Sequence, residues 1–148
     1  MAIHEPEMLK MIKGLDLSDT EIEDEEVEGF AFLKELEYLN ISNCTLSDGI
    51  KLLGRAVPKL KKLDISRTEI GDAVFGMLIQ KLPNLEELDV CSCYWITDKC
   101  LDIIANKCPN LQILKVADTY LSKKGVNKLV DSRAGKLKAV WVDNRKKD

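Results

Sequence analysis

The chain has 148 residues, 45% of them apolar, 32% charged and only 5% aromatic, with a formal net charge of −3. Such a length predicts one domain, the apolar share excludes a disordered or collagenous chain, and no run approaches the ~18–20 residues of a membrane helix. The first ten residues, MAIHEPEMLK, carry no apolar stretch for a secretory leader. The five cysteines are therefore expected as reduced thiols, and the expected compartment is the cytoplasm, with the nucleus as alternative.

Residues 1–11 are read as an N-terminal flank, in which Met8, Leu9 and Met11 offer a partial helical lid. From Ile12 one pattern recurs to the end of the chain. Its copies are Ile12, Leu15, Leu17, Thr20, Ile22; Leu36, Leu39, Ile41, Cys44, Leu46; and Leu60, Leu63, Ile65, Thr68, Ile70. They continue as Leu85, Leu88, Val90, Cys93, Ile96, and as Leu111, Leu114, Val116, Thr119, Leu121. A partial sixth copy is read as Leu137, Val140, Val142. Each copy begins with apolar and polar residues in alternation, which predicts a short strand with one buried face. The Thr or Cys that follows is small enough to turn inward and satisfy turn backbone groups. Helical spacing comes next, in Ile50, Leu53, Val57, in Val74, Leu78, Leu82 and in Leu101, Ile104, Cys108. Asp48, Asp72 and Asp98 are placed to cap those helices, and Pro58, Pro83 and Pro109 to end them.

A strand and a helix recurring every 24–26 residues resembles the leucine-rich repeat, whose period is ~20–29 residues. The expected fold is α/β: a short right-handed solenoid over residues 12–148, with five full repeats and a partial one. About six parallel strands should line its inner face and helices its outer face. The fourth copy, LEELDVCSCYWITDKCLDIIANKCPNL, resembles the cysteine-containing leucine-rich repeat in Cys93, Ile96, Thr97, Asp98, Ile104, Ala105, Cys108, Pro109, Asn110 and Leu111. That subtype occurs in the substrate-binding arcs of F-box proteins and in relatives without an F-box. The resemblance implies binding of other proteins on the arc. The eleven residues before Ile12 leave no length for an F-box.

Catalytic chemistry finds little support. His4 lies in the flank, so no triad or histidine base is expected. Cys91 and Cys93 are separated by one residue, which is too close for a structural zinc pair, and Cys91 is expected to face outward on its strand. Acids such as Asp64, Glu87 and Asp89 recur as ordinary polar strand positions. No phosphate-binding glycine loop is present, and the pI near 5.3 disfavours nucleic acid. Neither an enzyme, a cofactor, a metal, a membrane nor a small-molecule substrate is expected.

Outward strand positions are read as Gly14, Asp16, Ser18; Tyr38, Asn40, Ser42; Lys62, Asp64, Ser66; Glu87, Asp89, Cys91; Ile113, Lys115, Ala117; and Ala139, Trp141, Asp143. The middle row then runs Asp16, Asn40, Asp64, Asp89, Lys115, Trp141. Residues 1–74 carry 16 acids and 9 bases, net −7, against 9 and 13, net +4, in residues 75–148. A protein partner with a basic segment would match the acidic part. Tyr, Trp and Arg dominate binding hot spots, which singles out Tyr38, Arg67 and Trp141. An extra turn residue in copy four adds Tyr94 and Trp95. The expected function is a non-catalytic interaction module using Tyr38, Asp64, Arg67, Glu87, Asp89, Tyr94, Trp95, Lys115 and Trp141. The alternatives are a fragment or subunit of an F-box-type ubiquitin ligase receptor and a structural subunit of a larger assembly.

Overall fold

A computed structural model describes residues 7–141. A 3₁₀ turn at Glu7–Met11 precedes β1 (Gly14–Asp16), β2 (Glu21–Ile22) and α1 (Asp24–Gly29), which runs on as a 3₁₀ turn at Phe30–Phe32. The second repeat holds β3 (Tyr38–Asn40), β4 (Thr45–Leu46), a 3₁₀ turn at Asp48–Leu52 and α2 (Leu53–Ala56). There follow β5 (Lys62–Asp64), α3 (Asp72–Ile79), β6 (Glu87–Asp89), α4 (Lys99–Lys107), β7 (Ile113–Lys115), α5 (Lys123–Asp131) and β8 (Lys138–Val140). Strands β1, β3, β5, β6, β7 and β8 form one parallel sheet in chain order, the stacking that the period requires. A second, two-stranded parallel sheet joins β2 to β4, which the sequence pattern does not reveal.

The register aligns Leu15, Leu39, Leu63, Leu88, Leu114 and Ala139 in one row. From Leu39 to Leu114 that row is buried against the helices, whose inward face in the third repeat is Phe75, Leu78, Ile79 and Leu82. Phe75 is the largest of the fully buried side chains and lies off the Val74–Leu78 spacing expected from the sequence. Helix packing is close enough at Gly54 that a Cβ there would lie 2.6 Å from the Leu78 carbonyl.

The Thr/Cys slot forms the expected hydrogen bonds, and it also connects repeats. Thr20 Oγ1 donates to the Leu17 carbonyl at 2.5 Å, and Cys44 Sγ reaches back from the next repeat to the same oxygen at 3.0 Å. Thr68 and Cys93 share the Ile65 carbonyl in the same way, at 2.6 and 3.1 Å. Thr119 Oγ1 donates to Val116. Asn84 and Asn110, each after a proline, donate to the Pro58 and Pro83 carbonyls one repeat earlier. Among Met8, Leu9 and Met11 only Leu9 packs on the core; Met8 and Met11 are exposed.

Two expectations are corrected. The carboxylates of Asp72 and Asp98 do not cap their own helices but accept hydrogen bonds from Thr97 and Ser122 of the following repeat. The sixth copy is also one residue shorter than its leucine spacing suggests. Lys138 and Val140 pair with Ile113 and Lys115, so Ala139 takes the core row and Trp141 leaves the outward row. The bend before β8 is built from Ala134 (φ 51°) and Gly135 (φ 78°), two left-handed residues, where the second, third and fourth repeats use Pro58, Pro83 and Pro109. Val142 and Asp143 lie outside the described residues.

Candidate protein-binding surface

The open face of the sheet is polar by construction. Asp16, Asn40, Asp64 and Asp89 each accept, through Oδ1, a hydrogen bond from the amide two residues on, at 2.9–3.0 Å. This side-chain turn ends each strand. The residue directly after each donating amide is left-handed: Asp19, Asn43, Arg67 and Ser92 all have φ of 53–62°. Asx side chains are needed there because the strand-ending amides have no ladder partner of their own. The middle row is therefore first a set of turn acceptors. Hydrogen bonds from Ser18 hold the Asp16 carboxyl below the usual carboxylate range.

Glu87 organises the centre of this face. Its carboxylate lies 2.9 Å from Lys115 Nζ and 3.8 Å from Lys62 Nζ, bridging β5, β6 and β7. The hydrogen bond to Glu87 raises the Lys115 pKa. Tyr38, with Asp64, Glu87, Asp89, Lys115 and Lys62, lines a hollow of about 230 Å³. Burial, reinforced by Asp16 and Asp64, raises the Tyr38 hydroxyl above its ordinary value. Five of the nine singled-out residues meet here.

Three others meet next to it. Arg67, Tyr94 and Trp95 line a second hollow of about 400 Å³ with Thr68, Glu69 and Ser92. Tyr94 and Trp95 are 57% and 64% exposed, and Tyr120 is 71% exposed, which makes a ridge of three aromatics in a chain poor in them. Tyr94, rather than Trp95, stacks on Tyr120, edge to face with centroids 6.3 Å apart. Trp141 joins neither hollow, because the shortened sixth repeat carries it past the row.

The third outward row is a correction. Cys91 does not face solvent: it is 1% exposed, and Ser66 and Ala117 are buried with it. The turn after each strand closes over this row, with the Arg67 amide donating to the Cys91 carbonyl and the Ser92 amide to that of Ala117. Asp89 is itself only 6% exposed. Lys62 lines the first hollow and Tyr120 packs on Tyr94 in the ridge, and neither was singled out from the sequence. Lys62 is legible in hindsight as the outward neighbour of Glu87 across β5 and β6.

Comparison with known proteins agrees with this architecture. Leucine Rich Repeat family models match residues 35–55 and 58–73. The chain is 29% identical over 114 residues to the human tubulin-specific chaperone cofactor E-like protein, covering 74% of this chain and 26% of that one. It thus spans about a quarter of that relative's length. Among solved structures it superposes on a chain of the yeast Rad7–Elc1 complex with a TM-score of 0.67 at 21% identity, over 87% of this chain and 32% of that one. With the tropomodulin C-terminal domain of Caenorhabditis elegans the TM-score is 0.64 at 12% identity, covering 88% and 89%. These two show the shared fold. The repeat pattern, the stacked sheet and the family matches make this chain a leucine-rich repeat protein. Such repeats are in general non-catalytic scaffolds for protein contacts.

Proposed function

We propose that the chain binds a protein partner across the hollow around Glu87 and the adjoining aromatic ridge. The observation that carries this reading is the adjacency of the two. The strand β5 and its turn pass from Asp64 in the first hollow directly to Arg67 in the second, so one partner can span both. Central aromatic anchors beside charged pairs are the usual source of binding energy at an interface. A basic segment of the partner supports the acidic part, where it competes with Lys62 and Lys115 for Glu87. The name of the tubulin-specific chaperone cofactor E-like protein makes tubulin the first partner to assay. Five buried cysteines, read as thiols, favour a reducing compartment, the cytoplasm or nucleus, as its place of work.

Affinity purification of the full chain identifies the partner, and titration against variants tests the surface. Tyr38→Ala and Trp95→Ala are each expected to weaken binding at least tenfold, about 1.4 kcal/mol, with the melting temperature unchanged. Wild-type affinity in both variants would overturn the proposed surface.

A further inference from the structure

Along the edge where turns lead into helices, consecutive repeats are tied by a carboxylate of one and a hydroxyl of the next. Asp24 Oδ1 accepts from Ser47 Oγ at 2.8 Å and from the Gly49 amide at 3.1 Å. Asp72 accepts from the Thr97 amide and hydroxyl, at 2.8 and 2.6 Å, and Asp98 from those of Ser122, at 2.8 and 2.5 Å. One tie is missing. At the position equivalent to Ser47, the partner of Asp48 is Gly71, which has no hydroxyl. Among the described residues the Asp48 carboxylate receives no hydrogen bond, and the Gly71 amide makes none.

The same seam interrupts the smaller sheet. Strand β4 has β2 on one side and no strand on the other. The Thr45 and Ser47 amides donate to Thr20 and Ile22, so by alternation the amide and carbonyl of Leu46 point across the seam. Between β4 and the third repeat opens a hollow of about 520 Å³, lined by Thr45, Leu46, Asp48, Glu69 and Val74, with Arg67 on its wall. Its size lies within the ~300–1,000 Å³ of typical ligand clefts. Its carboxylates, Asp48 and Glu69, outnumber its one arginine, and the adjoining first repeat presents exposed Glu21, Glu23 and Asp24.

We propose that this seam receives an extended, basic peptide segment as a third strand beside β4, its lysine or arginine held by Asp48. An open strand edge supplies main-chain hydrogen bonds, and a side-chain pocket beside it supplies selection. The unpaired carboxylate and the acidic surround choose a cation. The site is separate from the hollow around Glu87, while Arg67 and Glu69 line both the seam and the aromatic hollow.

The natural closure of the seam provides the test. A Cβ on Gly71 would meet only Trp95 Cβ and its carbonyl, both at 3.8 Å, so Gly71→Ser fits without a clash and sets a hydroxyl on the seam. The full chain, labelled with ¹⁵N, is titrated with blocked pentapeptides of alternating Val or Thr and Lys, and with the same peptides carrying Glu for Lys. Saturable shifts are expected at the amides of residues 45–47 and 69–71 with the lysine set. Binding should weaken at least tenfold for the glutamate set, for Asp48→Asn and for Gly71→Ser, while Tyr38→Ala binds as wild type does. A melting scan shows whether Gly71→Ser is folded, and Asp48→Asn stands as the test should it not be. No saturable shift up to ~2 mM peptide, near the millimolar floor of measurable affinity, would overturn the proposal. So would shifts that Asp48→Asn leaves unchanged, or shifts confined to the open sheet face.

Discussion

Asp64 and Asp89 show how one side chain serves two demands. Their charge suits a docking surface for a partner with a basic segment. Each carboxylate also closes the turn that ends its strand, with Asp64 Oδ1 taking the Ser66 hydroxyl at 2.6 Å as well. Removal of Asp89 leaves a buried amide without its acceptor, which carries a penalty of about 1–3 kcal/mol. Asp89→Ala is accordingly expected to lower the unfolding free energy, read from urea titration, by that amount. Asp64→Asn should stay within about 0.5 kcal/mol of wild type, because Asn40 already fills the equivalent role with an amide oxygen. A fold that tolerates Asp89→Ala as readily as Asp64→Asn contradicts the turn role.

At the scale of elements, repeat length sets the kind of helix. The first two repeats step by 24 residues and use partly 3₁₀ geometry, at Phe30–Phe32 and Asp48–Leu52. The later repeats step by 25–26 residues and hold α-helices of 8 or 9 residues. A 3₁₀ turn rises ~2.0 Å per residue against ~1.5 Å in an α-helix, so a shorter connection can still cover the height of the stack. The end of α4 depends on a residue 25 positions further on. Arg133 Nη1 donates to the Cys108 carbonyl and Nη2 to those of Ile104 and Ala105, all at 3.0 Å, at the negative end of the helix dipole. Arg133→Ala should destabilise the protein by about 2 kcal/mol in denaturant titration, since charge-assisted hydrogen bonds carry more than neutral ones. Lysine at this position should recover less than half, because one ammonium cannot reproduce the fork.

For the whole molecule, the buried thiols tie stability to alkaline pH. Burial raises the pKa of Cys93 and Cys100 and pushes Cys108 up to about 12 from an ordinary value of 9.0. Each thiol therefore stays protonated when folded and ionises more readily when unfolded. The stability is fully present below pH 9 and is lost as pH rises toward the folded values. Lys115, raised by Glu87, acts in the same direction at higher pH. The urea midpoint should hold steady from pH 7 to 8.5 and fall steeply between pH 9 and 11, with thiol labelling appearing only as the chain unfolds. A midpoint that is flat to pH 11 would contradict the burial of these thiols as the source of the effect.

Much of this was encoded locally. The alternation around Leu39, Leu63, Leu88 and Leu114 and the spacing of the helices fix six strands, their order and the core row, because each repeat writes its own strand, turn and helix. Tyr38, Glu87 and Lys115 were placed on the open face by that alternation alone. Tertiary stacking decided the rest. Cys91 is buried because a neighbouring turn closes over it, and Trp141 leaves the row because two left-handed residues shorten the approach to β8. The carboxylates of Asp72 and Asp98 turn to the next repeat because stacking sets the amides and hydroxyls of Thr97 and Ser122 within hydrogen-bond distance of them. The opening between the second and third repeats likewise exists only where stacking brings Asp48 against a glycine. Such partners lie 23–29 residues apart, and sequence periodicity says which positions align but not which atoms meet.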